Sequence, residues 1–489
     1  MVFDCKPRSW IHIVLAATML MLLQACTDEM LTTSPDKMLS FSTDTLTFDT
    51  IFTKRGSTTE KFMIYNRNNR ALKISKIYLA AKTNSSFRIN VDGHMNTANE
   101  FTDIEIGARD SLFVFVETTI DPTNSNNPVL IEDSVIFITN GNKQSVLLEA
   151  FGQDVYWLKN ERIRVHTRFK SDKPYLVYGS LRVDTARTLT LPAGCTIYFH
   201  NNASLIVYGN LRTEGTFEKP VTLTGDRLDD MKFLNPVPYS HVAGQWGGVY
   251  LLWKFGRHIL KNTHITSAYV GLYSPNTERD VLPIIELENC RIHNHLYYGI
   301  VAQNTNLTVK NSEISNTGSY TLFLSGGTHI FQQSTIANHY SGSSFAPSSR
   351  EKLPAVFING LDRTAPMKTE FINCIISGTM DNELSIASRY LAQYNGIFSF
   401  SYIKRKAPYE LSQFKNIRWH QPKDTVFKNV RYHSDKMRYF DFTPDSISPA
   451  RNIADVSLAS RFPLDLNGKS RFVDGKPDAG CYEWRPYNY

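Results

Sequence analysis

The stretch Asn311-Ser312-Glu313-Ile314 is one of five copies of a tetrapeptide that decides the fold. Each copy begins with Asn or Gln, continues with a small residue and a variable one, and ends with Ile. A repeat near 22 residues is typical of one coil of a solenoid, in which neighbouring units stack to bury their apolar faces. The steps between copies are 27, 22, 22 and 40 residues, so the last step predicts two coils. The copies begin at Asn262, Asn289, Asn311, Gln333 and Asn373.

This unit suits a parallel β-helix. An Ile at the fourth position fills the core and stacks on its equivalent one coil later, while the small residue avoids crowding. The leading amide can bond to the neighbouring coil, and a ladder of such amides satisfies its own buried groups. Residues 171–403 therefore resemble the right-handed parallel β-helix (pectin-lyase-like) superfamily. The resemblance implies an all-β fold, and we assign the β-helix domain to residues 154–403. It is specific for the fold but not for an activity.

The first residues of the chain predict export. Lys6 and Arg8 precede an apolar run that ends at Leu23. The run is too short to span a bilayer and fits a secretory signal. Leu23-Gln24-Ala25-Cys26 resembles the lipobox of bacterial lipoproteins. This resemblance implies a signal peptide over residues 1–25 and a lipid on Cys26.

Residues 26–37 are small and polar, which is typical of a tether. Asp28 and Glu29 within it resemble the surface-export signal of Bacteroidota lipoproteins. The acyl chains on Cys26 would provide the contact with a membrane. We therefore predict a protein that is lipid-anchored at the outer membrane, with surface exposure as one alternative.

Residues 38–153 contain short segments in which apolar and polar residues alternate, such as Phe87-Arg-Ile89-Asn-Val91. Short strands at regular intervals, separated by turn residues, favour an antiparallel sandwich. Tyr65-Asn66 after one strand and Leu148-Glu-Ala-Phe-Gly152 at the end resemble bacterial immunoglobulin-like modules of the ASPM–SPD-2–Hydin type. The resemblance implies a spacer or adhesion unit.

Residues 404–489 are predicted to cap the β-helix, because terminal coils expose apolar strands and sheet edges. Segments 448–455, 465–471 and 477–484 resemble the closing signature of secreted Bacteroidota β-helix proteins, in which the chain packs back on the last coils. Asp465-x-Asn467-Gly468 suggests Ca²⁺, but a calcium loop needs more oxygen ligands at fixed offsets. Asx turns explain these residues more simply.

Composition argues against several other classes of function. The formal net charge of +7 is spread over the chain, and the short run Lys404-Arg405-Lys406 is typical of a solvated turn, so no nucleic-acid partner is predicted. The chain has six Cys at wide spacings, which is not a disulfide framework. Because no CxxC or His-rich spacing exists, we predict no metal and no cofactor.

The third position of the repeat holds the candidate binding residues. His264, Arg291 and Glu313 occupy it in three copies, and Thr335 follows in the next copy. These side chains should line one outer face of adjacent coils. A solvated surface stripe is the simpler interpretation of the same pattern.

Two classes of function remain open. Glycoside hydrolysis needs two carboxyl groups that flank the scissile bond, and no Asp pair stands in the five units. Glu286 and Glu288 alternate with apolar residues, so we expect them to be outward and solvated. This favours a non-catalytic envelope protein whose β-helix binds a polysaccharide or a surface protein. The alternative is a polysaccharide lyase or glycoside hydrolase on the same scaffold.

Overall fold

The computed structural model describes most of the chain in two compact units, Met1–Gln153 and Asp154–Tyr489. Cys26 and the predicted signal peptide lie outside the described residues. None of the helices among the described residues is long and apolar enough to cross a membrane. The residues described are 31–231, 237–340, 350–360, 367–387, 394–431 and 440–486.

The N-terminal unit consists of two five-stranded sheets whose buried faces share one hydrophobic cluster. The first sheet contains, in spatial order, β1 (Ser40–Phe41), β3 (Glu60–Tyr65), β8 (Ser111–Thr118), β5 (Phe87–Val91) and β6 (His94–Met95). The second contains β2 (Thr45–Phe52), β10 (Asn142–Gln153), β9 (Val129–Thr139), β4 (Leu72–Leu79) and β7 (Glu100–Ile106). A short 3₁₀ helix spans Lys82–Asn84.

Alternation along the strands produces this layered packing. In β5, Phe87, Ile89 and Val91 are buried and the residues between them face outward. All pairs in the two sheets are antiparallel except β2 and β10, which run parallel. The predicted alternation is thus present, with one parallel pair that the sequence pattern did not indicate.

In the second unit each coil contributes up to three strands, which stack on their equivalents in the next coil as parallel pairs. Stack A contains β12 (Thr167–Arg168), β14 (Thr188–Pro192), β17 (Asn210–Glu214), β22 (Arg257–Lys261), β25 (Ile284–Glu288), β28 (Asn306–Lys310), β31 (Gly327–Gln332), β34 (Met367–Ile372), β37 (Gly396–Ser399) and β39 (Phe414–Lys415).

Stacks B and C form one continuous sheet, which the long strands β11 (Tyr156–Ile163) and β13 (Tyr175–Val183) begin. Stack B continues with β15 (Thr196–Phe199), β18 (Val221–Gly225), β23 (Thr263–Thr266), β26 (Arg291–His295), β29 (Glu313–Thr317), β32 (Thr335–Asn338), β35 (Ile375–Gly378), β38 (Tyr402–Ile403) and β40 (Arg418–Trp419). Stack C continues with β16 (Ser204–Val207), β21 (Trp246–Leu251), β24 (Ala268–Pro275), β27 (Tyr298–Gln303), β30 (Leu322–Ser325), β33 (Val356–Asn359) and β36 (Leu384–Ala387).

The repeat is confirmed as the stacking unit of a parallel β-helix-like architecture. Its Ile residues pair in register through all five copies and are buried. The prediction that the 40-residue step is two coils is wrong, because Ile336 on β32 pairs directly with Ile376 on β35. The additional residues lie in the connections before and after β33, since an apolar column fixes the register while turns tolerate insertions.

The leading Asn or Gln of each copy begins the corner between stack A and stack B, which is one residue long at Asn262 and two residues long in the other copies. All five have positive φ, from 44° at Asn262 to 56° at Asn373. Asn tolerates this left-handed region better than most residues. Its amide also bonds along the stack: Asn311 Nδ2 donates to Asn289 Oδ1 at 2.7 Å, and Asn373 Nδ2 donates to Gln333 Oε1 at 3.0 Å.

Residues 440–486 pack on the outer face of stack B and bond to this amide ladder. Their apolar side chains form a cluster with Ile375 and Tyr402 of the stack. Asn373 Oδ1 accepts from the backbone N–H of Asp455 at 2.7 Å, and Gln333 Nε2 donates to the carbonyl of Asp478 at 2.7 Å. The segment includes helix α1 (Val456–Ala459) and β42 (Asp441–Pro444), which pairs with β41 (Phe427–Asn429).

The remaining short elements lie in connections between coils. β19 (Asp230–Met231) pairs antiparallel with β20 (Val237–Pro238), and a 3₁₀ helix spans Tyr239–His241. Toward the C-terminal end of stack A, aromatic rings fill the core: Phe371 stacks on Phe398 at 5.2 Å, and Phe398 stacks on Phe414 at 4.5 Å. Parallel pairing reaches Trp419, beyond the predicted domain boundary at residue 403.

We predict that Asn373→Ala destabilises the second unit by about 3–5 kcal/mol. The variant loses three side-chain hydrogen bonds at about 1 kcal/mol each and places a Cβ with no local partner in the left-handed region. Asn373→Gly loses the same bonds but relieves the backbone, so it should be about 1 kcal/mol more stable than the Ala variant. Urea unfolding followed by tryptophan fluorescence measures both. Equal stability of the two variants would contradict the backbone argument.

Candidate functional site

The three candidate residues lie side by side on stack B. Backbone register pairs His264 on β23 with Arg291 on β26, and Arg291 with Glu313 on β29. Together they line one side of a cleft of about 380 Å³. Its other lining residues are Thr266, His293, Phe440, Asp441, Phe442, Thr443, Asn467 and Tyr482.

Glu313 forms the floor of this cleft and is only 6% exposed. Its Oε2 accepts from the Tyr482 hydroxyl at 2.5 Å, and its Oε1 accepts from the Ser315 hydroxyl and lies 3.3 Å from His293 Nδ1. Burial alone raises the pKa of this carboxyl, but the hydrogen bond and charge of His293 and the charge of Arg291 lower it to about 2. Glu313 is therefore ionised at neutral pH, and both of its oxygens are bonded.

Arg291 connects the sheet to the C-terminal segment. Its Nε donates to the Tyr482 hydroxyl at 3.1 Å and its Nη2 donates to Asn467 Oδ1 at 2.6 Å. The guanidinium thus lies between an anionic floor and the polar side chains of the segment that covers it. Its positive charge balances that of Glu313.

His264 differs from its neighbours in having no hydrogen bond to its imidazole within the described part of the chain. Burial, and then the charge of Arg291, lowers its pKa to about 4. The ring is therefore neutral at physiological pH, with one nitrogen that donates and one that accepts. It offers both functions to a molecule in the cleft.

The candidate residues point outward as expected, but the predicted solvated stripe is covered over part of its length. Glu313 is buried and Thr335 is fully buried, because residues 478–484 lie on them. Gly480 permits this approach: a Cβ there would lie 2.6 Å from Thr335 Oγ1. Glu286 is outward and contacts Arg257 at 3.4 Å.

Sequence reasoning missed the second outward position of the unit and the residues that arrive from far along the chain. Thr266, His293 and Ser315 lie two residues beyond the third position and pair in register. Period-two alternation along each strand was the signal that could have found them. No local sequence pattern predicts that Phe440 and Tyr482 line the cleft, because only the packing of the C-terminal segment brings them there.

Metal-binding groups and cysteine thiols are two sources of reactivity that the described residues could offer. Within the described residues no group of three or more His, Cys, Asp or Glu side chains is arranged to hold a metal ion. The four described cysteines are buried and free, and burial raises the pKa of Cys290 to about 12, so its thiol is not a nucleophile at neutral pH. Asp465 Oδ1 accepts from the backbone N–H groups of Asn467 and Lys469, as an Asx turn does.

Comparison with known proteins adds little. No protein family and no curated protein matches the chain. A Porphyromonas gingivalis W83 protein of unknown function shares 9% identity over 26% of this chain and 59% of its own, with a TM-score of 0.18. The ASH/PapD-like domain of human CEP192 shares 12% identity over 26% of this chain and 91% of its own, with a TM-score of 0.16. Vibrio cholerae VesB protease shares 13% identity over 23% of this chain and 31% of its own, with a TM-score of 0.17. Similarities at this level indicate neither a family nor a function for this chain.

We predict that the contribution of His264 to the stability of the second unit decreases as pH falls from about 7 to about 5. The pKa of His264 is near 6.5 in the unfolded chain and about 4 in the fold, so the unfolded state binds more protons over this range. The stability that the neutral ring contributes above pH 6.5 is therefore lost as pH falls toward 4. Urea midpoints at several pH values, followed by tryptophan fluorescence, measure the effect.

The matched variants are His264→Gln, which cannot titrate, and His94→Gln, which changes an exposed residue of the N-terminal unit. The first should show a weaker dependence of the midpoint on pH than the wild type, and the second should match the wild type. An unchanged dependence in His264→Gln would contradict the prediction.

Proposed function

We propose that this protein is a lipid-anchored, non-catalytic protein of the cell envelope that binds an uncharged glycan in the cleft on stack B. The observation that carries the proposal is that both oxygens of the Glu313 carboxylate accept hydrogen bonds, whereas the neutral imidazole of His264 in the same cleft has none within the described residues. The first cannot take part in proton transfer at neutral pH, and the second is free to bond a hydroxyl.

The state of Glu313 argues against hydrolysis. A glycosidase needs one carboxyl that stays protonated to act as the acid and a second that acts as base or nucleophile. The pKa of Glu313 is lowered to about 2 and both its oxygens accept hydrogen bonds. The other carboxyl that lines the cleft, Asp441, is exposed and caps the backbone N–H of Thr443 at 3.0 Å. The two carboxyls that line this cleft therefore do not match the acid and base that hydrolysis requires.

The balance of charge favours an uncharged ligand. The cation of Arg291 lies next to the anion of Glu313, Asp441 adds a second carboxylate to the lining, and His264 is neutral. A polyuronate would need unpaired cations to neutralise it. Phe440 lines the cleft and is partly exposed, so its ring offers an apolar surface on which the C–H face of a sugar can pack; the buried ring of Phe442 lies 6.0 Å from it.

The proposal assigns roles to the rest of the chain. Cys26 would carry the lipid, residues 26–37 would act as the tether, and the N-terminal unit, as an immunoglobulin-like module, would be a spacer. The second unit would be a right-handed β-helix, closed toward its C-terminal end by residues 404–489. A polysaccharide lyase or glycoside hydrolase on the same scaffold is the competing function.

We predict that His264→Ala weakens glycan binding at least fivefold without loss of folding. The imidazole has no protein partner among the described residues, so its removal affects the ligand more than the fold. Retardation of the full-length protein in gels that contain dextran, xylan or mannan measures binding, with polygalacturonate as the anionic comparison. Thr222→Ala is the matched control, because Thr222 precedes His264 in the same outward column but does not line the cleft.

Two results would overturn the assignment. Equal retardation of the His264→Ala and wild-type proteins by every neutral polysaccharide would remove the cleft as the binding site. Release of reducing ends or of unsaturated uronates from any of these polymers would establish the competing enzymatic function.

The anchor makes a separate prediction. Cells that express the wild-type protein should incorporate radiolabelled palmitate into it, and Cys26→Ala should abolish the label. Cys5→Ala is the control, because Cys5 lies within the predicted signal peptide. Persistence of the label in Cys26→Ala would refute lipidation at this position.

A further inference from the structure

The repeat has one unexplained irregularity, the 27-residue step between Asn262 and Asn289. The structure shows where the five residues beyond 22 go. Two residues, 304–305, connect stack C to stack A after β27, and one residue, Gly326, does so after β30. After β24 the same connection has eight residues, 276–283, and in the preceding coil it has five, 252–256. Two neighbouring coils thus carry long turns at one corner.

These two turns enclose a cavity of about 320 Å³. Trp253 and Lys254 come from the first turn, and Asn276, Thr277 and Glu278 from the second. This volume is at the lower end of the range of ligand pockets, which is about 300–1,000 Å³. Insertions in a solenoid lie in turns and often form its binding face.

The longer turn is held in place by its own amide bonds. Asn276 Nδ2 donates to the carbonyls of Val281 and Asn304, each at 2.9 Å, and Asn304 Nδ2 returns a bond to the carbonyl of Asn276 at 3.0 Å. The turn 276–283 is therefore hydrogen-bonded to the next coil as well as within itself. A site of this kind requires little ordering when a ligand binds.

We propose that this cavity is a second carbohydrate site, which takes one or two residues of an uncharged sugar. Trp253 supplies an aromatic surface for sugar C–H groups, and its indole N–H has no acceptor among the described residues. Phe255 beside it is 58% exposed, with ring centroids 5.9 Å apart. The two rings form an apolar rim that would otherwise face water.

The charged residues at the rim suit hydroxyl groups. Lys254 Nζ lies 3.3 Å from Glu278 Oε1, and both side chains are largely exposed. An exposed pair of this kind contributes little to stability, so it can open at low cost to donate to one hydroxyl and accept from another. Its net charge is zero, which favours an uncharged sugar over a uronate or a phosphate.

This site is separate from the cleft on stack B, and the two share no lining residue. The proposal therefore stands whether or not the cleft binds glycan.

The test is calorimetric titration of the full-length protein with glucose, galactose, mannose, N-acetylglucosamine, cellobiose, maltose and lactose at millimolar concentrations. At least one of these sugars should bind, and Trp253→Ala should weaken that binding at least tenfold. Trp253→Phe should retain part of it, because a ring remains. Trp157→Ala is the matched control: Trp157 is 42% exposed and lies on β11, outside the cavity.

Two further variants guard the interpretation. Glu278→Ala removes an exposed rim side chain without affecting the core, and it should weaken binding severalfold. Thr222→Ala, a change on stack B outside both sites, should leave binding of the same sugar unchanged. The proposal is overturned if no sugar of the panel binds, or if Trp253→Ala and Glu278→Ala bind as the wild type does. Loss of binding in His264→Ala alone would assign the sugar to the cleft instead.

Discussion

The second unit depends on the amide ladder at the corner between stacks A and B. A coil turns there within one or two residues, and the left-handed backbone at the first of them disfavours most side chains. Asn satisfies the backbone and then bonds to the amide of the neighbouring coil. Such bonds join Asn289 to Asn311 and Gln333 to Asn373, and the Ile residues three positions later lie in register. At these steps the same side chains serve both the local turn and the stacking of coils.

The same amide ladder also positions the C-terminal segment on stack B. Arg471 is fully buried and donates to Asn311 Oδ1 and, at 2.9 Å, to the carbonyl of Cys481. Glu483, 3.6 Å from this guanidinium, is also buried. Burial, and then the charge of Asp478, raises the pKa of Glu483 to about 9, so the carboxyl holds a proton at neutral pH. Displacing the segment would separate Arg471 from Glu483 and leave each buried without its partner. This cost holds the segment in its position.

The sequence predicted the features that recur in successive coils and did not predict those that occur only once. The Ile column follows from period and volume, and the third position of the unit was correctly placed next to its equivalents in adjacent coils. The cover over Glu313 was not predictable, since it depends on Tyr482, which lies 169 residues further along the chain. The 40-residue step was misinterpreted for a related reason. Spacing alone does not distinguish an added coil from a long turn, whereas the direct pairing of β32 with β35 does.

The irregular steps of a repeat therefore contain information that its regular steps do not. Stacking constrains the inward positions and the corners, because each must match the coil before and after it. A turn that projects from the stack has no such partner, and its length can change at little cost in loop entropy. Long turns in two adjacent coils at the same corner meet each other, and a cavity forms between them. Trp253 lines that cavity and lies outside the buried core, in contrast to Trp246 of the strand before it.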